Sequence, residues 1–171
     1  MQTLTARELV LDPLMASHAE AMFEVLCDER IYAYLDESAP ASTDELRRVY
    51  ARRETRKSPD GQQLWLNWIV RWQGQQPIGY VQATVTAPGV AWIAYVIASS
   101  HWGRGHAFAA TAAMLEHLEI AYGVSQCLAS VESRNERSIR LLGRLGFRAA
   151  TLSQAAAHDL PPSERLFQRQ A

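Results

Sequence analysis

His101-Trp102-Gly103-Arg104-Gly105-His106-Ala107-Phe108 decides how the rest of this chain is read. The stretch follows an apolar run, Val90–Ile97, and leads into a run over about Phe108–Tyr122 whose apolar residues repeat at helical spacing. A loop that opens a helix presents unpaired backbone N–H groups at the positive end of the helix macrodipole, which suits it to anions. Gly103 and Gly105 remove the side chains that would keep phosphate oxygens from the backbone. Two other glycine-rich loops do not fit. The stretch lacks the Gly-Lys-Ser/Thr ending of a P-loop, and it lacks the third glycine and downstream acidic residue of a dinucleotide fingerprint. A plain tight turn before a helix is the reading that needs no ligand.

Upstream, Leu64–Trp72, Pro77–Ala87 and Val90–Ile97 read as three strands joined by the turn signals Gln73–Gln76 and Pro88–Gly89, an antiparallel meander. A strand over about Thr3–Leu11 precedes them, then a helix capped by Ser17 and Glu20 that buries Ala19, Met22, Phe23 and Leu26. Tyr32–Pro40 is irregular. Ser42 and Glu45 open a basic helix to about Lys57, whose Arg47, Arg48, Arg52, Arg53 and Arg56 read as a solvated face with local ion pairs. Downstream come a strand at Gln126–Val131, a helix at Glu136–Leu145 capped by Asn135, a strand after Gly146 and a closing strand at Arg165–Gln168. Residues 149–162 receive no element. A single α/β (α+β) domain over residues 1–171 follows, an antiparallel meander first and alternating helices and strands after it.

The bulk numbers narrow the function. Of 171 residues, 48% are apolar and 20% charged, the balance of a folded chain. Seventeen Lys and Arg against eighteen Asp and Glu leave a net charge of −1, too little field to favour nucleic acid as the main ligand. No apolar run approaches the roughly 18 residues that a membrane span requires, and Met1–Arg7 lacks a signal peptide's apolar centre. The expectation is a cytoplasmic protein with no membrane partner, as a monomer or homodimer. Cys27 and Cys127 are isolated, and no cluster of ligands suggests a metal.

A second motif completes the first. Val131–Ser138 sets a strand end against a helix start, and Leu145-Gly146-Phe147 closes that helix. The Trp-Gly-x-Gly-x-Ala loop followed by Asn-x-x-Ser and Gly-Phe resembles the GNAT superfamily of N-acetyltransferases. Arg7-x-Leu9-x-Leu11-x-Pro13-Leu14, then His18-Ala19, is similar to its ribosomal-protein branch of RimJ and RimL type, and the likeness covers about the first 147 residues. It implies the GNAT fold, a mixed central sheet of six to seven strands flanked by helices, in which Val90–Ile97 and Gln126–Val131 run parallel and splay apart around the pantetheine arm of acetyl-CoA. Backbone groups of Val96 and Ile97 would pair with the pantetheine amides. The loop from Trp102 through Gly103, Arg104, Gly105, His106 and Ala107 to Phe108 would hold the pyrophosphate. Asn135 would bond the pantetheine arm, cap its helix, or do both.

The implied reaction moves an acetyl group from acetyl-CoA to a primary amine, of a protein N-terminus or a small molecule, by direct attack in a ternary complex without a metal. Two positions depart from the family. Leu142 stands where a tyrosine commonly protonates the departing thiolate, and Trp92 stands where an acidic residue commonly sits on the strand before the loop. Ser138, one turn after Asn135, could supply the proton, and Glu132 could act as base, with Tyr34, Asp36 or Glu37 approaching from the irregular segment. Tyr34, Trp65, Asn67 and Gln82 are the expected acceptor contacts, Asn67 being an amide among the tryptophans Trp65 and Trp68. The departures leave open a second class, a non-catalytic acyl-CoA-binding or sensor domain.

Overall fold

A computed structural model describes all 171 residues, the side chain of Ala87 apart. Its elements are β1 (Leu4–Ala6), β2 (Leu9–Pro13), α1 (Ala19–Leu26), α2 (Thr43–Glu54), β3 (Leu64–Trp72), β4 (Pro77–Ala87) and β5 (Val90–Ile97), then α3 (His106–Tyr122), β6 (Gln126–Glu132), α4 (Glu136–Arg144), β7 (Arg148–Ala149), α5 (Leu152–Ala155) and β8 (Glu164–Gln170). They form one sheet of eight strands in the order β1-β2-β3-β4-β5-β6-β8-β7. Only β5 and β6 are parallel; every other pairing is antiparallel.

The eighth strand arises where the sequence suggests one strand over Thr3–Leu11. Arg7 turns the chain at a positive φ of 55°, and β1 folds back on β2 with Leu4 opposite Leu11. Arg7-Glu8 carries none of the Asn-Gly or Asp-Gly character that announces a two-residue turn, so the hairpin reads as a continuous strand. Helix α1 also starts differently from its expected cap. Ala16–His18 forms a 3-10 turn in which Ser17 caps nothing. The Met15 amide donates to His18 Nδ1 at 3.1 Å and the Ala16 amide donates to Glu54 Oε2 at 2.8 Å. The basic helix is as expected at its start, where Ser42 accepts from the Glu45 amide, but it stops at Glu54. In the unassigned stretch, Thr151 and Gln154 make a capping box that holds the short α5.

Strand parity divides the core in two. Leu66, Trp68 and Val70 of β3, Ala91, Ile93 and Ile97 of β5, and Cys127, Ala129 and Val131 of β6 face α3 and α4. Ile69, Tyr80 and Val96 face α1 and α2 with Leu14, Met22, Leu46 and Tyr50. Trp68 therefore lies on the opposite face from Asn67, fully buried, its indole N–H donating to the Gln2 carbonyl at 3.0 Å.

One glycine fixes how the centre of the sheet is assembled. Gly79, at φ 156°, pairs with Ile97, and a Cβ there would lie 2.0 Å from the Val96 carbonyl oxygen. The missing side chain lets β4 hold the last residues of β5 tightly, at the end where β5 leaves its other neighbour.

Candidate active site

Strands β5 and β6 pair over three positions, Val90 with Gln126, Ala91 with Cys127 and Trp92 with Leu128. Beyond Trp92 the pairing stops. The rest of β6 stays paired with β8, up to Glu132 opposite Glu164, and the rest of β5 stays paired with β4. The two strands thus open a gap that leaves one backbone edge of Ile93–Ile97 unbonded, the splayed pair that the resemblance implies.

At the mouth of the gap on the α3 side lies the glycine loop. Gly103 and Gly105 adopt left-handed φ values of 76° and 80°, with open space where a Cβ would stand. Gly105 caps α3, and the first turn of that helix carries no carboxylate to compete for its N–H groups. Trp102 ties the loop to β5, its indole N–H donating to the Ile97 carbonyl at 2.7 Å. The Arg137 guanidinium lies 4.5 Å over the Trp102 ring and that of Arg144 4.7 Å over Phe108. Two cations from α4 therefore flank the loop, a contribution that sequence spacing alone does not reveal. The His106 ring turns inward against Trp72 and His101, at centroid distances of 6.3 and 5.7 Å. Burial lowers both histidines from 6.5, and neighbouring positive charge reinforces it: His106 and Arg104 beside His101, Arg104 beside His106. His106 offers the loop its backbone; its ring serves the packing beneath.

Where β6 gives way to α4, Asn135 Oδ1 accepts the Ser138 amide at 3.1 Å, so the capping role is realised and the Asn135 amide hydrogens are left for other partners. Ser138 Oγ lies 2.6 Å from the Tyr95 hydroxyl. Tyr95 is pushed up to about 12 by burial, with the Ser138 hydrogen bond opposing. Leu142 is wholly buried in the core. Tyr95 escapes a reading of motifs because it sits in an apolar strand. Its signal is parity: it shares a face with Ile93 and Ile97, the face that meets α4.

Glu132 ends β6 with both carboxylate oxygens engaged by Arg134, one by its amide at 3.0 Å and the other by Nε at 2.9 Å. Tyr34, in the irregular segment, is exposed.

The opposite face holds a cavity of about 370 Å³ between α1, α2 and the sheet, with Tyr32, Glu37, Tyr50, Arg53, Tyr80 and Val96 in its lining. Tyr80 and Val96 are cross-strand partners and form its floor. The Tyr32 hydroxyl donates to the Leu26 carbonyl at 2.8 Å, whereas the Tyr50 hydroxyl is buried without a partner. Burial raises Tyr80 to about 12, with Glu37 adding and Arg53 opposing, and raises Tyr50 further. Trp65, Asn67 and Gln82 do not line this cavity. Asn67 pairs with Gln82 and Trp65 with Thr84, farther along the same sheet face, and the Trp65 indole N–H donates to Gln63 at 3.1 Å. Val96 joins the two halves, since it lines the cavity from the strand that borders the gap. Among the described residues, no three His, Cys, Asp or Glu side chains gather as metal ligands.

A glycine cradle at a splayed parallel pair is the architecture of an acyl-CoA-dependent transferase fold. Residues 8–148 match the family described as the acetyltransferase (GNAT) domain, and the chain belongs to that family. Solved structures agree in fold. The GNAT-family acetyltransferase of Bacillus anthracis superposes with a TM-score of 0.77 at 16% identity, covering 98% of each chain. RimL, the ribosomal L7/L12 α-N-protein acetyltransferase in complex with coenzyme A, gives 0.78 at 17%, covering 95% of this chain and 94% of that one. Mycobacterium smegmatis RimJ in complex with CoA-disulfide gives 0.78 at 21%, covering 99% and 86%. No curated protein matches the chain. No helix is long and apolar enough to cross a membrane.

Proposed function

We propose that this protein, acting as one domain, transfers the acetyl group of acetyl-CoA to a primary amine by direct attack within a ternary complex. The observation that carries the reading is the β5–β6 gap, approached from one sheet face by the glycine loop and from the other by the Tyr50–Tyr80 cavity. In this reading the N–H groups of Gly103–Phe108 hold the pyrophosphate, with Arg137 and Arg144 beside it. The free edge of Val96 and Ile97 and the Asn135 amide hold the pantetheine arm, which places the thioester between the two faces. The amine nitrogen attacks the carbonyl carbon, the C–S bond breaks, and the thiolate leaves against a hydrogen bond donated by the Ser138 hydroxyl, taking its proton from solvent. Most of the acceleration comes from holding the two reactants in line, worth roughly 7 to 11 kcal/mol.

The cavity favours a compact cation. Glu37, Asp36 and Glu45 outnumber Arg53 in its lining, and its protonated phenols stay neutral donors at ordinary pH. Glu37 holds the ammonium group, and Glu132 accepts its proton once substrate displaces the exposed Arg134 guanidinium, a contact that solvent keeps weak. A Salmonella typhimurium acetyltransferase of the same fold modifies the N-terminal serine of the 50S ribosomal subunit protein L7/L12, so peptides beginning with serine belong in the acceptor panel beside small amines. Release of free thiol from acetyl-CoA, dependent on an amine that gains one acetyl group, tests the proposal. Tight CoA binding without turnover across the panel would favour the sensor reading, which Leu142 and Trp92 keep in view.

A further inference from the structure

We infer that Tyr95 is a positioning residue for the leaving thiolate, acting through Ser138. The inference rests on the acetyl-transfer reading above and goes beyond it, because no motif singles out Tyr95.

The two hydroxyls come from opposite walls of the gap, Tyr95 from β5 and Ser138 from the first turn of α4, and lie 2.6 Å apart. The direction of the hydrogen bond follows from the surroundings. A phenol is a stronger donor than an aliphatic hydroxyl, and the Ser138 carbonyl oxygen, 3.4 Å away, is too far to compete for its single hydrogen, so the phenolic hydrogen is assigned to the 2.6 Å contact with Ser138 Oγ. Ser138 Oγ then receives the phenol's hydrogen, and its own hydrogen is free to turn into the gap. Its backbone is fixed as well, the amide being held by Asn135 Oδ1. The result is a chain of two donors, phenol to serine to sulfur, in which each bond polarises the next.

Tyr95 does not give up its proton. Burial holds the phenol well above an ordinary thiol, so transfer from the phenol to the thiolate would run uphill. It works as a fixed dipole that makes Ser138 a better donor and stops that hydroxyl from turning back to its own helix. Balance is kept in the simplest way: Ser138 likewise keeps its proton and donates only a hydrogen bond to the sulfur as the C–S bond breaks, and the thiolate takes its proton from solvent. The phenol thereby offsets the loss of the tyrosine whose place Leu142 takes in the core.

Bound CoA reports on this chain without any acceptor. Thiolate absorbance of bound CoA is titrated in the wild type, Tyr95→Phe, Ser138→Ala and the double variant. We expect Tyr95→Phe to lower the thiolate fraction at a given pH about threefold, as a charge-assisted hydrogen bond from Ser138 that is weakened but not lost requires, while CoA affinity changes less than about twofold. In the Ser138→Ala background the Tyr95 substitution should add nothing. Site-specific 3-fluorotyrosine at position 95, a stronger donor of nearly the same shape, should raise the thiolate fraction and tests the same point if Tyr95→Phe misfolds. An unchanged titration in Tyr95→Phe, or an equal effect with and without the Ser138 hydroxyl, would overturn the inference. Failure of the wild type to bind CoA would instead overturn the functional reading, and this inference with it.

Discussion

Tyr50 shows what a single residue can reveal about the acceptor. Its hydroxyl is enclosed by the cavity wall with no hydrogen-bond partner, a state that costs about 1 to 3 kcal/mol for a buried polar group. Tyr50→Phe should therefore leave the thermal midpoint unchanged or higher while raising the acceptor KM several-fold, read by melting curves beside steady-state kinetics. A fall in both stability and kcat at constant KM would make Tyr50 a packing residue only. Glu132 and Glu37 separate in the same way. Glu132→Gln should lower kcat about 100-fold, the usual scale of a lost general base, with acceptor KM little changed, whereas Glu37→Gln should act mainly on acceptor KM. Among the candidate site residues, the Asn135 cap and the place of Ser138 one turn later could be read from the sequence, because helix geometry fixes them. The contact of Tyr95 with Ser138 could not, since it depends on which face of β5 meets α4, a fact of the tertiary fold.

Helix and strand ends carry the next layer. The boundaries of β3, β4 and β5 are legible because their turns contain Gly74 and Pro88-Gly89, while the β1–β2 hairpin is hidden by a turn made from Arg7 and Glu8. The start of α1 is hidden for a different reason. Its caps come from His18 and from Glu54 of α2, and the latter contact spans 38 residues. Gly79 is the element-scale test of the gap. Gly79→Ala would press a methyl group against the Val96 carbonyl and push β5 away from β4, at a cost of about 2 kcal/mol or more for an overpacked core. A lower thermal midpoint with a larger proportional loss of CoA affinity is expected; a midpoint equal to that of the wild type would mean that β5 is not held as described. Trp102→Ala should detach the glycine loop from Ile97 and weaken CoA binding about tenfold, one hydrogen bond of roughly 1.4 kcal/mol, measured by calorimetry.

At the scale of the whole molecule, the fold places the glycine loop and the Tyr50–Tyr80 cavity on opposite faces of one sheet, on either side of the point where two strands part. The loop and the splayed strands were legible in the sequence because they use backbone, glycines and helix caps, which are local. The cavity was not: Trp65, Asn67 and Gln82 share its sheet face, but it forms only when α1, α2 and the Tyr32–Pro40 segment close over Tyr80. Acidification tests the packed state as a unit. His18, His101, His106 and His117 are all lowered from 6.5, with burial the first cause in each. At these four sites the folded chain then binds fewer protons than the unfolded chain, so their contribution to stability is flat above about pH 7 and falls as the pH drops below the unfolded histidine value toward the folded ones. The thermal midpoint should follow that course, and His101→Phe should reduce its slope; a midpoint that rises on acidification would contradict it. The central claim, that the gap joins acetyl-CoA to an amine, is tested most directly by incubating the protein with acetyl-CoA and a panel of primary amines and serine-initiated peptides, then following free thiol and acceptor mass together. The account predicts thiol release matched one for one by an acetylated amine and abolished by filling the loop with Gly105→Val. Acetyl-CoA bound with no acetylated product from any amine would contradict it.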